Sequence, residues 1–289
     1  MEVIPASLID QPTPVHNVRT RTFFIVDGRQ DEAVLKDALD SLIRDHWRKL
    51  GARLVRRAKD GFLEYHLPKT FADDYSLFRW SSTHLEKSID TCPELSFYNN
   101  PPPAENGISF LPSMWSIDKV VRPASWPMER KEEPPNDPLL YVHLTVFTDA
   151  TVIATSIPHA LADQFGVGNI MRAWFGLTRG ETPPAMVGHD EDIMASVGKD
   201  VSEYSREEIS RKGKARLQWP LESLFVMLGF LGDLIWYPSE RSHIVFFPRS
   251  FVQQLRARYS KELEAEYGAD PGLSSGDVIL GVLAKVRFC

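Results

Sequence analysis

Cysteine is nearly absent, Cys92 and Cys289 being the only two in 289 residues. Two thiols exclude a disulfide scaffold and a cysteine-rich zinc site, and they fit a reducing compartment. A basic excess is missing as well: 33 Lys and Arg face 39 Asp and Glu, a formal charge of −6. That balance argues against a nucleic-acid binder held by phosphate contacts. The opening MEVIPASLIDQPTP has neither a basic n-region nor an apolar h-region, so a cytoplasmic location is expected rather than secretion. No G-x-S-x-G elbow and no P-loop lysine motif occurs, which leaves hydrolase and nucleotide-binding readings without support. Internal repeats and low-complexity tracts are lacking too. Hydrophobic residues at 43% and charged residues at 25% are near the globular norm. Together these point to an α/β or α+β globule of about two domains.

The local patterns place its elements. Arg19–Val26 has the β-rich character of a strand. Asp31 sits where an N-cap belongs, ahead of an apolar stripe at Val34, Leu35, Ala38, Leu39, Leu42, Ile43, Trp47 and Leu50. That spacing predicts one helix ending at Gly51 as its C′ residue. Leu54–Arg57 and Phe62–Leu67 flank Asp60-Gly61 as the arms of a hairpin. Ten of the 21 prolines then fall between Pro93 and Pro138. This predicts a long irregular excursion without regular helix or central strand, anchored by Trp115 and Trp126.

The strongest pattern follows. LLYVHLTVFT alternates, with Val142, Leu144 and Val146 on one face and Tyr141, His143, Thr145 and Phe147 on the other. TVIATSIP returns after a short Asp149-Ala150 turn as a strand apolar on both faces, hence buried, and Pro158 ends it. From Asp163 a helix is predicted, with Phe165, Ile170, Met171, Trp174 and Phe175 inward. Gly188–Gly213 is polar without periodicity and reads as a linker.

His159 and Asp163 form H-x-x-x-D at the end of this buried strand. The spacing puts both on one side of a helical turn if the turn begins at His159. A neutral imidazole there could take a proton from a hydroxyl or amine near pH 7. The tetrad alone is also compatible with a core histidine satisfied by backbone.

At this point the chain resembles a known family. LLYVHLTVFTDATVIATSIPHALADQFGVGNIMRAW is similar to the motif region of the BAHD-type (HXXXD) acyl-CoA-dependent acyltransferases, closest in texture to the fungal trichothecene O-acetyltransferase-like group. LKDALDSLIRDHWRKLGARLVRRAKDGFLEYHL resembles that family's first helix and hairpin. RSHIVFFPRSFVQQLRARYSKELEAE with LSSGDVILGVLAKV resembles the opening of its second half. Two departures stand out. The family has Gly directly after the motif Asp, whereas here Gln164 follows and glycine is delayed to Gly166. The family's D-F-G-W-G signature is absent, and the nearest string, Trp174-Phe175-Gly176, lies in the wrong half.

The resemblance implies an α/β, chloramphenicol-acetyltransferase-like two-layer sandwich with the N-terminal half complete and the C-terminal half only begun. It divides the chain into 1–205, carrying the motif, 206–239 as a crossover segment, and 240–289 as the start of a second half. Because the chain stops within the apolar helical run Val278, Ile279, Val282, Leu283 and Val286, C-terminal truncation is expected. The implied activity moves an acyl group, other than amino-acyl, from acyl-CoA to a hydroxyl or amine of a small secondary-metabolite acceptor. His159 would be the general base. Asp163 and Gly166 would shape the turn, Asp163 through a salt bridge. Acyl-CoA would be a co-substrate, with no cofactor bound permanently. A non-catalytic remnant is the alternative, and the 289 residues alone are expected to show little or no acyl transfer.

Other features have simpler accounts. A metal site is not expected, since His159 and Asp163, even with His143, imply no adequate ligand set. Ser274, Ser275 and Asp277 read as a helix cap. Leu217–Tyr237 is the most apolar window, but Gln218, Pro220, Glu222 and Asp233 argue against a transmembrane helix. The basic residues Arg211, Lys212, Lys214 and Arg216 ahead of it leave weak surface association with a membrane open.

Overall fold

The computed structural model describes residues 1–7, 10–11, 15–103, 105, 107–189, 205, 220–236, 239, 242–269 and 272–287. In chain order the elements are β1 (Glu2–Pro5), β2 (Arg19–Asp27), α1 (Glu32–Ser41), β3 (Arg53–Arg56), β4 (Leu63–Leu67), β5 (Phe78–His84), β6 (Ser109–Ser113) and α2 (Met114–Val121). There follow β7 (Leu140–Val146), β8 (Ala150–Pro158), α3 (Gln164–Leu177), α4 (Pro220–Trp236), β9 (His243–Phe246), α5 (Arg249–Tyr267) and α6 (Ser275–Arg287). The class is mixed α/β, as expected. Met1–Leu85 with Val121–Glu240 make one compact unit, and Glu86–Val120 with Arg241–Cys289 another.

In the first unit, β2, β8, β7 and β5 form a sheet in that order. Its pairs are antiparallel except for β5 beside β7, which runs parallel. Both β7 and β8 are buried along their whole length. Val142, Leu144, Ile153 and Ile157 share one core with Leu35 and Leu39 of α1 and with Val167, Ile170, Met171 and Trp174 of α3. Trp174 also donates its indole N–H to the Leu35 carbonyl at 2.7 Å, tying α3 to α1. A second sheet, β1-β4-β3, adds Ile4, Leu63, Tyr65 and Leu67 to that core. Its β3–β4 hairpin turns at Asp60-Gly61, where Gly61 takes φ +77, the left-handed value that suits glycine.

The first helix is shorter than its stripe. Asp31 caps α1, accepting from the backbone N–H of Ala33 and Val34. After Ser41 the winding widens to a π-turn over Leu42–His46 and then tightens to a 3-10 turn over Arg48–Gly51. The rewinding lets the Trp47 indole reach the Pro184 carbonyl at 2.8 Å while Leu42, Ile43 and Leu50 stay buried. Gly51 is therefore not a left-handed cap. A Cβ there would stand 2.8 Å from Phe71 and 2.9 Å from Ile43, so glycine serves close approach.

The second unit corrects the reading of the proline-rich excursion. That stretch holds both β6 and α2. β6 pairs antiparallel with β9 in a two-stranded ribbon whose register shifts between Phe110 and Ser113. Pro112, which has no N–H to give, falls within that irregularity, where a ribbon tolerates it. Trp115 is 56% exposed, with the Lys119 ammonium 5.8 Å over its ring, whereas Trp126, in the first unit, is buried against Tyr141 and His143. Ser274 and Asp277 form the cap of α6: the Ser274 Oγ accepts from the Asp277 N–H, and the Asp277 carboxylate accepts from Ser274. Most of 188–213 lies outside the described residues, as does Cys289.

Candidate active-site turn

β8 delivers His159 to the rim of the buried sheet. Pro158 is opposite Arg19 in the β2 register, and the chain then turns over His159–Leu161 before α3 begins at Gln164. Three kinds of contact set the turn. The His159 N–H donates to the Val18 carbonyl at 2.9 Å, continuing the ladder past the strand end. The Tyr65 hydroxyl, buried in β4, donates to the Ala160 carbonyl at 2.5 Å. The Leu161 N–H closes onto the Pro158 carbonyl at 2.9 Å. Burial raises the Tyr65 phenol above its ordinary value of 10.0, with Asp10 adding to the rise and Arg130 opposing it, so the hydroxyl keeps the proton it donates.

Asp163 is exposed and serves as the N-cap of α3, its Oδ1 accepting from the Gly166 N–H at 2.8 Å. Among the described residues no arginine pairs with it, so the salt bridge implied by the resemblance has no counterpart there. Gly166 approaches closely: a Cβ would lie 2.9 Å from the Ala162 Cβ and 3.4 Å from the capping Oδ1. The delayed glycine thus sits where the cap needs it. Phe165, expected inward, is 86% exposed, because the cap starts the helix in a phase that turns Val167, Ile170 and Trp174 to the core instead.

His159 itself is partly exposed, and its Nδ1 is buried with no hydrogen-bond partner among the described residues. That nitrogen is the polar atom of the turn that the surrounding protein leaves unsatisfied. Behind the turn lies a charged cluster. The Arg19 guanidinium is fully buried, pairs with Glu133, donates to the Ser156 hydroxyl and to the Ser156 and Leu139 carbonyls at 2.8 Å each, and stacks 4.0 Å over Tyr141. Arg130 meets the same Glu133 at 3.5 Å.

His143 is not brought to this turn. It pairs with Ala154, four residues before Pro158 and so roughly 13 Å along the strand. Its Nδ1 shares a hydrogen bond with the Ser81 hydroxyl at 2.8 Å, and the Trp126 ring lies edge-on to it. Burial lowers its pKa from 6.5, against the pull of Glu32. Among the described residues no group of three or more His, Cys, Asp or Glu could hold a metal ion. A cavity of about 390 Å³ adjoins the motif at Leu161, Ala162 and Gly166 and is walled by Trp47, Ile170 and Met186, without His159 on its wall.

Tyr65 and Arg19 were not among the sequence candidates. The inward alternation of Leu63, Tyr65 and Leu67 marks a polar group facing the core, but not the turn it would support.

No family model matches the chain. It is 31% identical over 264 residues to acetyltransferase adrJ of Penicillium rubens, covering 88% of this chain and 51% of that protein. It is 28% identical over 286 residues to acetyltransferase pyiB of Pyricularia grisea, covering 96% of this chain and 55% of that one. The chain is a relative of fungal acetyltransferases. It spans about half the length of the curated relatives it matches. Among solved structures, TRI101 of F. sporotrichioides, crystallised with coenzyme A and T-2, aligns at a TM-score of 0.45 and 15% identity, over 63% of this chain and 40% of that one.

Proposed function

We propose that this acetyltransferase relative carries the base-bearing part of an acyl-CoA-dependent acyltransferase, with His159 as general base toward the hydroxyl or amine of a small secondary-metabolite acceptor. The observation that carries the reading is the H-A-L-A-D turn: a partly exposed imidazole at the end of a buried strand, its backbone held by Val18 and Tyr65. In the proposed reaction the imidazole accepts the acceptor's proton as its oxygen or nitrogen attacks the thioester carbonyl. The C–S bond breaks as the tetrahedral oxyanion collapses, and the imidazolium returns its proton to the departing thiolate. Acyl-CoA is consumed as a co-substrate, and no acyl-enzyme is required. Asp163 and Gly166 act on this reading only by holding the turn. The reading also keeps 1–205 as the motif-bearing half, 206–239 as a crossover and 240–289 as the opening of a second half.

The test is thiol release from acetyl-CoA with a panel of small alcohols and amines. Acceptor-dependent release that falls by about 10²–10⁴ in His159→Ala supports the assignment. Release undiminished in that variant removes His159 from the mechanism.

A further inference from the structure

The cavity of about 390 Å³ beside α3 lies within the first unit. Asn169, Arg172, Ala173 and Gly176 recur at helical spacing and turn one face of α3 to it. Its floor is apolar: Trp47, Leu50, Ile170 and Ala173 are each less than a tenth exposed. Its outer wall is the segment 182–187, which hydrogen bonds hold in place. The Trp47 indole N–H donates to the Pro184 carbonyl at 2.8 Å, and the Lys49 ammonium donates to the Gly188 carbonyl at 2.8 Å. The turn that leads into the segment is closed by the Glu181 N–H on the Gly176 carbonyl at 3.0 Å. The cavity is therefore preformed, and its volume falls in the range of small-molecule sites, about 300–1,000 Å³. An apolar cavity of about 150 Å³ holds one benzene ring, so two fused rings have room here.

The rim is polar. Asn169, Arg172 and Thr182 are exposed at the mouth, and none of them has a hydrogen-bond or ion-pair partner among the described residues. Glu181 stands on the same rim, but its carboxylate is engaged by Arg179 at 2.8 and 3.2 Å. The Arg172 guanidinium is thus the charge that a ligand can neutralise, and its planar fork matches a carboxylate. Deeper in, the Trp47 ring and the Met186 thioether both favour an aromatic body over an aliphatic one.

We propose that this cavity binds a small aryl carboxylate, its rings against Trp47 and Met186, its carboxylate on Arg172, and Asn169 and Thr182 completing the hydrogen bonds. His159 is not on the wall, so the site does not rest on the acyl-transfer reading. The test is calorimetric titration of the whole chain with naphthoate. Naphthalenemethanol serves as the uncharged counterpart, and acetate supplies the charge without the rings. Saturable binding of naphthoate is expected, with a shift of the Trp47 indole N–H signal in NMR spectra, weaker binding of the alcohol and none of acetate. Arg172→Gln, at an exposed position, should weaken naphthoate about fivefold, the upper range for an exposed ion pair, and leave the alcohol unchanged. Ala173→Leu grows into the cavity from its floor and should abolish binding of both, with a thermal melt no lower than the parent's. Should that variant melt lower, Arg172→Gln decides alone. The proposal is overturned if naphthoate does not saturate, if the alcohol binds as tightly, or if Arg172→Gln binds naphthoate like the parent. Binding that leaves the Trp47 signal unmoved overturns it as well, because the ligand is then elsewhere.

Discussion

Arg19→Met tests whether the charged cluster behind the turn holds the end of β8. The guanidinium has no solvent exposure and Glu133 little. Its replacement leaves three acceptors without their donor: the Ser156 hydroxyl, the Ser156 carbonyl and the Leu139 carbonyl. It also strips Glu133 of one of its two cations, leaving Arg130 at 3.5 Å. Breaking a buried pair from one side costs about 3–5 kcal/mol. Arg130 softens that loss, while the orphaned acceptors add about 1–3 kcal/mol each when no water reaches them. The expected net destabilisation is at least about 4 kcal/mol, read as a shift in the urea midpoint at unchanged slope. Adding Glu133→Gln then leaves Arg130 as a largely buried cation without its carboxylate, so the double variant should be less stable than the single one. Because Arg19 is opposite Pro158 and the neighbouring Val18 carbonyl receives the His159 N–H, exchange of that amide should accelerate beyond the global effect. A loss below about 1 kcal/mol, or a double variant more stable than the single, would refute the reasoning.

Tyr65→Phe keeps the buried ring and deletes the donor to Ala160; a loss of about 1–2 kcal/mol is expected in chemical denaturation, with a shift in the His159 imidazole NMR signals that a purely remote effect would not produce. Asp163→Ala should cost about 1 kcal/mol, while Asp163→Asn, an equally good cap, should be close to neutral in thermal melts; a large loss in the Asn variant would restore a buried charge partner. For His143 the folded pKa lies below the unfolded 6.5, so as pH falls through 6.5 the unfolded chain takes up a proton that the folded one resists. Melting temperature should therefore decline over the window from 6.5 down to the lowered folded value, and His143→Gln should flatten that decline. A wild-type and variant pair with parallel profiles would assign the pH dependence elsewhere.

Local chemistry alone decided much of this protein. The Asp31 cap, the Asp60-Gly61 turn, the paired strands around Asp149, the helix after Asp163 and the Ser274–Asp277 cap are all legible in a few consecutive residues. Each rests on periodicity or on a side chain bonding its own backbone, interactions complete within one turn or strand. The placement of His159 at the end of a fully buried strand followed from the same signals. What surrounds it did not. Tyr65 lies 95 residues from Ala160, and Arg19 lies 137 from Ser156. The parallel pairing of β5 with β7, the rewinding after Ser41, the outward Phe165 and the strand and helix inside the proline-rich stretch likewise depend on distant partners. Periodicity states that a residue faces inward or outward, not which neighbour it will meet. Tertiary packing made that choice, because buried hydrogen bonds and close approaches can be satisfied only by the groups that chain topology brings together.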